Sequence, residues 1–269
     1  YPADARWEDR RMSRQHLTTG VDIIKVCVSG GATADEDGTT RNMTQEELDA
    51  AVDEAHAYHK PCAAHCWTPQ SHRMCIQAGV DTIEHMVFTD PAVIEMIREA
   101  GIPVTPTLVH RTDHAIETRR RCGSPKNVLD KMKEVQPYCF ESFKRMHQAG
   151  IKIFMGTDIQ YDPEIGSNAE ELEVYVKLGM SPMEAIQTAT RNAAEAMKLD
   201  KDLGTLEAGK LADVIAVDGD PLHDITVLQK KPNIKLVMKE GQVYVDRMRA
   251  VPRYVIHPEP GQWKIIDTQ

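Results

Sequence analysis

Two histidines occupy positions where their imidazole rings could bind a metal ion. His65 follows the apolar segment 62–64, and His85 ends the segment 80–85. A neutral imidazole carries a lone pair that suits zinc and similar borderline cations. Either histidine alone could simply be a hydrogen-bonded residue at the end of a strand. Two that meet at one edge of a sheet indicate a metal site.

A single βαβ unit would bring these histidines together. Thr68 followed by Pro69 is typical of a helix start, and Gly79 is typical of a helix end. The unit therefore reads strand, helix, strand, and a right-handed crossover makes its two strands parallel. We expect both histidines at the carboxyl edge of the sheet, where α/β proteins place their active sites.

Lys25 lies in the middle of another predicted strand, within the segment 20–31 (GVDIIKVCVSGG). An apolar, β-branched run ended by glycines is typical of a buried parallel strand. Burying an ammonium group is unfavourable. This lysine is therefore expected to be paired with a carboxylate, to be neutral, or to be chemically modified.

Asp158 ends a further predicted strand over residues 150–158. An aspartate after a glycine could also serve only as a turn or cap residue. Between this strand and the histidines, the sequence predicts a third strand at 102–108, a loop at 112–123, and a helix that is interrupted before Pro137. Strands recur at intervals of about 20 residues, as in βα repeats.

The chain is therefore predicted to be an α/β protein, a partial (β/α)8 barrel of the TIM type with about five of the eight strands. Residues 1–200 hold this barrel portion, and residues 201–269 hold short strands and turns that predict a small β-sandwich portion with a C-terminal tail. Cys62 and Cys66 are expected on the face opposite His65, because successive strand residues alternate between faces.

Composition excludes several classes of function. The 269 residues carry a net charge of −9 and offer no basic surface for nucleic acid. No apolar run approaches the roughly 18 residues of a membrane-spanning helix. The six cysteines lack the dense spacing of a secreted scaffold, which favours reduced thiols in a cytoplasmic protein. The N-terminus has no initiating Met and no apolar signal segment, so we interpret it as an internal start.

Five motifs occur in an order that resembles the amidohydrolase superfamily, and most closely its imidazolonepropionase-like enzymes and Xaa-Pro dipeptidases. They are DIIKVCVSGG, AAHCWTP, TIEHMVF, PVTPTLVH and IFMGTD. The segments that follow resemble the closing helices and the small β-sandwich of the family. The resemblance covers nearly the whole chain, and the order of the motifs is more specific than any one of them.

The resemblance implies a metal-dependent hydrolase that cleaves C–N bonds in small amides, dipeptides or cyclic amides. It implies that Lys25 is carboxylated and bridges two zinc ions. His65 and His85 would then bind the second ion. Asp158 would bind the first ion and move the proton to the leaving nitrogen, while His110 would bind substrate. Metal-bound water, which loses its proton near neutral pH, would be the nucleophile.

The resemblance is incomplete at one point. The first strand of the family carries a His-x-His pair that completes the first metal site, and this sequence contains no such pair. We therefore expect a missing N-terminal barrel segment. We also expect a homo-oligomer that acts on a small-molecule amide or dipeptide.

Two other functions remain open. A desolvated lysine on a strand could form a Schiff base, so Lys25 could serve a barrel lyase, although this leaves the two histidines and Asp158 unexplained. The absent His-x-His pair favours an inactive remnant that acts as a binding or assembly module. Borohydride trapping on Lys25 would favour the lyase, and stoichiometric zinc would favour the hydrolase.

Overall fold

The structure is a computed structural model that describes residues 5–31, 36–159, 165–248, 253–259 and 262–267. The chain divides into two compact units, Tyr1–Gly166 and Ser167–Gln269. The boundary between residues 200 and 201 that the sequence predicts for the barrel portion stays a prediction.

A parallel sheet forms the centre of the first unit. Its order is β1-β2-β3-β4, and its strands are β1 (Ile24–Cys27), β2 (Cys62–Cys66), β3 (Thr82–His85) and β4 (Val104–Thr105). The predicted strand at 150–158 adds a parallel bridge between Ile153 and Val104. Two hydrogen bonds support it, from Phe154 N–H to the Val104 carbonyl (3.0 Å) and from Val104 N–H to the Lys152 carbonyl (2.9 Å). The spatial order of the strands follows the chain order, as successive βα units require.

Helices alternate with these strands. They are α1 (Arg6–Thr18), α2 (Gln45–Ala57), α3 (Pro69–Ala78), α4 (Pro91–Ala100), α5 (Asp113–Arg121) and α6 (Lys126–Gln148). The Thr68 hydroxyl accepts a hydrogen bond from the Ser71 amide at the start of α3, and Gly79 ends the helix in a left-handed conformation. The predicted boundaries of the helix between the two histidines are confirmed.

The segment 112–148 differs from its prediction. Thr112 caps α5 where a loop was expected, and α6 continues through Pro137. A proline inside a helix costs about 3 kcal/mol because it removes a hydrogen bond and crowds the preceding turn. A continuous buried stripe offsets this cost on both sides of the proline, formed by Val128, Leu129, Met132, Val135, Cys139, Phe143 and Met146.

The second unit begins with three helices and continues into an antiparallel sheet of order β5-β6-β7-β8-β9. The helices are α7 (Glu170–Lys177), α8 (Pro182–Thr188) and α9 (Arg191–Ala196). The strands are β5 (Val214–Val217), β6 (Ile234–Lys239), β7 (Gln242–Asp246), β8 (Arg253–Glu259) and β9 (Gln262–Asp267). A single sheet thus stands where the sequence predicts part of a sandwich.

No disulfide joins any of the six cysteines, all of which lie in the described ranges. Cys62, Cys66, Cys75 and Cys139 are buried, whereas Cys27 and Cys122 are exposed. Burial raises the pKa of the Cys62 thiol to about 12 and that of Cys139 to about 11, so neither is a thiolate near neutral pH. In the ranges that the structure describes, no helix is both long and apolar enough to cross a membrane.

Candidate active site

The register of the parallel sheet places two of the predicted site residues on one face. Lys25 pairs with Ala63 on β2, and His65 pairs with Glu84 on β3. Register partners point to the same face, and so do residues two apart on one strand. Lys25, His65 and Glu84 therefore share a face of the sheet.

Lys25 forms an ion pair with Glu84, reaching across β2. Ala63 is the β2 residue beside Lys25, and its methyl group leaves room for the two side chains to meet. The Lys25 side chain is 41% exposed and that of Glu84 is 20% exposed, so the strand is less dry here than the sequence predicts. Burial nevertheless lowers the pKa of Lys25. Of the states expected for this lysine, the structure contains the carboxylate-paired one.

His85 reaches the site through a turn of the backbone. Its register partner is Cys66, on the face opposite His65. Its φ is +76°, that of Met86 is +52°, and the Met86 amide donates to the Glu84 carbonyl (3.1 Å), which makes a γ-turn centred on His85. The imidazole consequently lies edge-on to His65, with ring centroids 4.5 Å apart.

Hydrogen bonds determine which nitrogen of each imidazole remains available. His65 Nε2–H donates to the Gly30 carbonyl (3.1 Å), which leaves Nδ1 with the lone pair. The Nδ1 atom of His85 lies 2.6 Å from Thr107 Oγ1, which leaves Nε2 for another partner. Burial lowers the pKa of both histidines, and that of His85 falls well below its usual value. Both rings are therefore neutral near pH 7.

The two imidazoles fit a metal ion by their donor chemistry. Each is neutral, and each uses one nitrogen for an orienting hydrogen bond, as metal-binding histidines commonly do. Across the described parts of the chain, no group of three or more His, Cys, Asp and Glu side chains is placed to hold a metal ion. The histidine pair would supply two ligands of such a site, and a complete site would need further ligands.

Asp158 follows the strand segment that bridges to β4. It is exposed, and its φ of +51° is in the left-handed region. Burial lowers the pKa values of Lys25 and His65, and the negative charge of Asp158 opposes this effect on both. The carboxylate is thus electrostatically coupled to the lysine and to one of the two histidines.

His110 is buried in the turn of 3-10 helix that follows β4. Its Nδ1–H donates to the Thr157 carbonyl (3.2 Å), and its ring centroid lies 6.4 Å from that of His85. Burial lowers its pKa well below the usual value, so the ring is neutral and its Nε2 can accept a hydrogen bond. The structure therefore places His110 next to the histidine pair.

Two further side chains of this region, Arg111 and Trp67, were not predicted from the sequence. Arg111 lies with its guanidinium carbon 5.0 Å from the centroid of the Trp67 ring, and the Trp67 ring lies 6.1 Å from that of His65. Arg111 is 4% exposed and Trp67 is 1% exposed. Arg111 stands between His110 and Thr112 in the sequence, and no sequence signal marks its contact with Trp67.

Residues 4–244 match the model of the amidohydrolase family. The chain belongs to this family. Its parallel sheet is therefore that of a TIM-barrel-like amidohydrolase, and the antiparallel sheet is separate from it. The predicted family resemblance is confirmed.

Two curated proteins and one solved structure are examples of what the chain is similar to. Ochratoxinase from Aspergillus niger is 32% identical over 248 residues, which are 90% of this chain and 50% of that protein. Imidazolonepropionase from Pyrobaculum arsenaticum is 29% identical over 61% of this chain and 36% of its own length. A crystal structure of a Xaa-Pro dipeptidase with bound methionine in the active site is 34% identical, with a TM-score of 0.82, over 90% of this chain and 59% of the dipeptidase. The chain therefore spans only about half of the length of ochratoxinase and somewhat more than half of the dipeptidase.

Proposed function

We propose that this chain is part of a metal-dependent amidohydrolase that cleaves the C–N bond of a small amide such as a dipeptide. The observation that carries the proposal is the His65 and His85 pair, with two neutral imidazoles 4.5 Å apart. The strained turn at His85 supports it, because uncommon backbone conformations cluster at functional sites.

His65 Nδ1 and His85 Nε2 are the atoms that would hold the ion. A bound divalent cation such as Zn²⁺ supplies a water of lowered pKa and polarises the amide carbonyl. Lys25, once released from Glu84 and deprotonated, would add to CO2 to form a carbamate, and the carbamate oxygens would be further ligands for the metal. Asp158 would take the proton from the attacking water and give it to the leaving nitrogen. His110, with Nε2 as acceptor, would orient a substrate N–H.

The relatives support a small substrate with a cleavable amide. The Xaa-Pro dipeptidase structure holds methionine in its active site, and a prolidase complexed with N-methylphosphonate-L-proline has a TM-score of 0.84 to this chain at 28% identity. Since the chain covers 59% of each of those proteins, the proposal concerns the full-length protein that contains it.

Metal content and hydrolysis, measured together on the full-length protein, test the proposal. We expect bound zinc, counted by inductively coupled plasma mass spectrometry, and release of amino acids from a panel of dipeptides and N-acyl amino acids. His65→Ala should lose metal and at least about 100-fold in turnover. His56→Ala is the matched control, since His56 lies on α2 and pairs with Asp81 (2.9 Å) away from the site.

Two results would overturn the proposal. One is full metal content in His65→Ala and His85→Ala, because the pair would then bind no ion. The other is a substrate adduct on Lys25 that borohydride traps, which would assign the site to Schiff-base chemistry instead.

A further inference from the structure

Arg111 is a buried arginine whose guanidinium forms no ion pair among the described residues. Its side chain is 4% exposed, and its Nη1 atom is buried without a hydrogen-bond partner among the residues that the structure describes. None of the carboxylates in the described ranges forms an ion pair with it, although the charge of Asp158 acts on it. The contact that it does make is with the face of Trp67. A cation–π contact compensates only a small part of the cost of burying an unpaired charge.

The surroundings of Arg111 add positive charge and hydrogen-bond donors. Burial lowers the pKa of Arg111 and the positive charge of Arg119 lowers it too, while Cys139 and Asp158 oppose these effects. Trp67 Nε1 is a second buried donor with no hydrogen-bond partner in the described ranges. Two buried donors, Arg111 Nη1 and Trp67 Nε1, therefore lack an acceptor among the described residues, although the chain as a whole is acidic. Such an arrangement is complementary to a group that is negative and only accepts hydrogen bonds.

We propose that Arg111 binds the carboxylate of the substrate, which makes the substrate class a C-terminal amino acid in amide linkage, as in a dipeptide or an N-acyl amino acid. The inference rests on the proposed amide hydrolysis. Arg111 follows His110 directly, and Trp67 lies two residues after His65. Each is therefore close in sequence to a predicted site residue. A planar guanidinium can present two parallel N–H groups to one carboxylate, and that of Arg111 lies over the Trp67 ring.

A carboxylate fits better than a phosphate or sulfate. It carries one negative charge, which a single guanidinium balances, whereas a doubly charged phosphate in a buried site needs further cations or donors. The position of Arg111 also indicates how a substrate would be oriented in the site. The acid end would bind at Arg111 and Trp67, and the amide bond would lie toward the histidine pair.

Ligand binding to the metal-free full-length protein tests this inference without requiring catalysis. The probes are N-acetyl-L-alanine and its neutral amide, N-acetyl-L-alaninamide, titrated by calorimetry. We expect the acid to bind at least about tenfold more tightly than the amide. In Arg111→Met, which keeps the length of the side chain but not its charge, the two ligands should bind within about twofold of each other.

Two further variants separate recognition from structure. Arg111→Lys keeps the charge but loses the planar fork, so an intermediate preference for the acid is expected. Arg73→Met is the matched control, because Arg73 pairs with Asp90 at the surface (2.7 Å), and it should keep the full preference. Without ligand, Arg111→Met should unfold at the same or a higher temperature than the parent, since it removes an unpaired buried charge.

The outcomes distinguish the inference from the proposed function. If the parent binds acid and amide equally, or if Arg111→Met keeps the preference, Arg111 does not anchor a carboxylate. A parent that hydrolyses amides with and without a free carboxylate equally well overturns the inference and leaves the proposed function intact. If the protein hydrolyses neither kind of amide but still prefers the acid through Arg111, the inference stands and the proposed function fails.

Discussion

Lys25 on β1 and Glu84 on β3 form an ion pair although β2 lies between their strands. The pairing follows from the register, which puts both residues on one face, and from the small side chain of Ala63 between them. The family resemblance assigns this lysine a carboxylated, metal-bridging form. Glu84 is therefore positioned to hold the free ammonium form of the same lysine.

Replacing Glu84 with glutamine should lower the pKa of Lys25, because the amide keeps the shape of the partner but removes the negative charge that favours the ammonium. The pH dependence of Lys25 acetylation in metal-free protein, followed by mass spectrometry of the β1 peptide, measures this change. Glu95→Gln, which removes the partner of Arg98 on α4, should leave Lys25 unaffected. An equal midpoint in Glu84→Gln and the parent would mean that the ion pair does not govern the lysine.

The γ-turn at His85 predicts an unusual order of stabilities. At φ = +76° an L-residue is disfavoured and glycine is not, so His85→Gly should be more stable than His85→Ala by about 1 kcal/mol. Urea denaturation of both variants tests this. Ala64→Gly in β2 is the control, where glycine should cost about 0.5–1 kcal/mol. If glycine is worse than alanine at both positions, the turn is not maintained.

Asp158→Asn should lower kcat by about 10²–10⁴-fold while much of the metal remains bound, since the amide keeps one oxygen but cannot accept the proton. Asparagine tolerates left-handed backbone, so the φ of +51° should be preserved. Steady-state kinetics and metal analysis on the same preparation provide the measurement. Asp200→Asn at an exposed position is the control. Parent-like turnover in Asp158→Asn would remove this carboxylate from the mechanism.

Protonation of His72 should account for part of the loss of folding stability at low pH. It is fully buried on α3, and burial lowers its pKa from 6.5 to about 4. Between these values the unfolded chain binds more protons than the folded one, so stability falls as the pH drops from about 6.5 to about 4. The shift corresponds to about 3 kcal/mol.

Urea midpoints measured across this pH range, for the parent and for His72→Gln, test the assignment. The variant should lose that part of the pH dependence, while the buried His85 and His110 contribute equally in both proteins. His223→Gln, at an exposed position, should behave like the parent. Parallel stability curves for His72→Gln and the parent would show that His72 does not titrate in this range.

Local signals were sufficient to predict the framework around the histidines. The hydroxyl of Thr68, the proline after it and Gly79 determine the ends of α3 through short-range hydrogen bonds and backbone preference, so the βαβ unit can be derived from the sequence. The same logic failed for α5, where Thr112 gives a valid cap but the charged sequence that follows lacks an apolar stripe long enough to indicate a helix.

The remaining site residues depend on contacts between distant segments. Glu84 could have been found from strand alternation, since it faces the same side as Lys25 once the register is known. The imidazole of His85 is hydrogen-bonded to Thr107, which is 22 residues away. Arg111 becomes notable only through its burial against Trp67, and no spacing rule encodes that contact.

The cysteines allow local opening of the fold to be measured through the rates at which their thiols react. A thiol reagent can modify Cys27 and Cys122 at once, because both are exposed. The four buried thiols react only when the strands and helices that cover them separate. The rate of their modification therefore reports how often this packing opens, on β2 through Cys62 and Cys66 and on α6 through Cys139. Mass spectrometry of partially labelled protein would order these openings in time without any added probe.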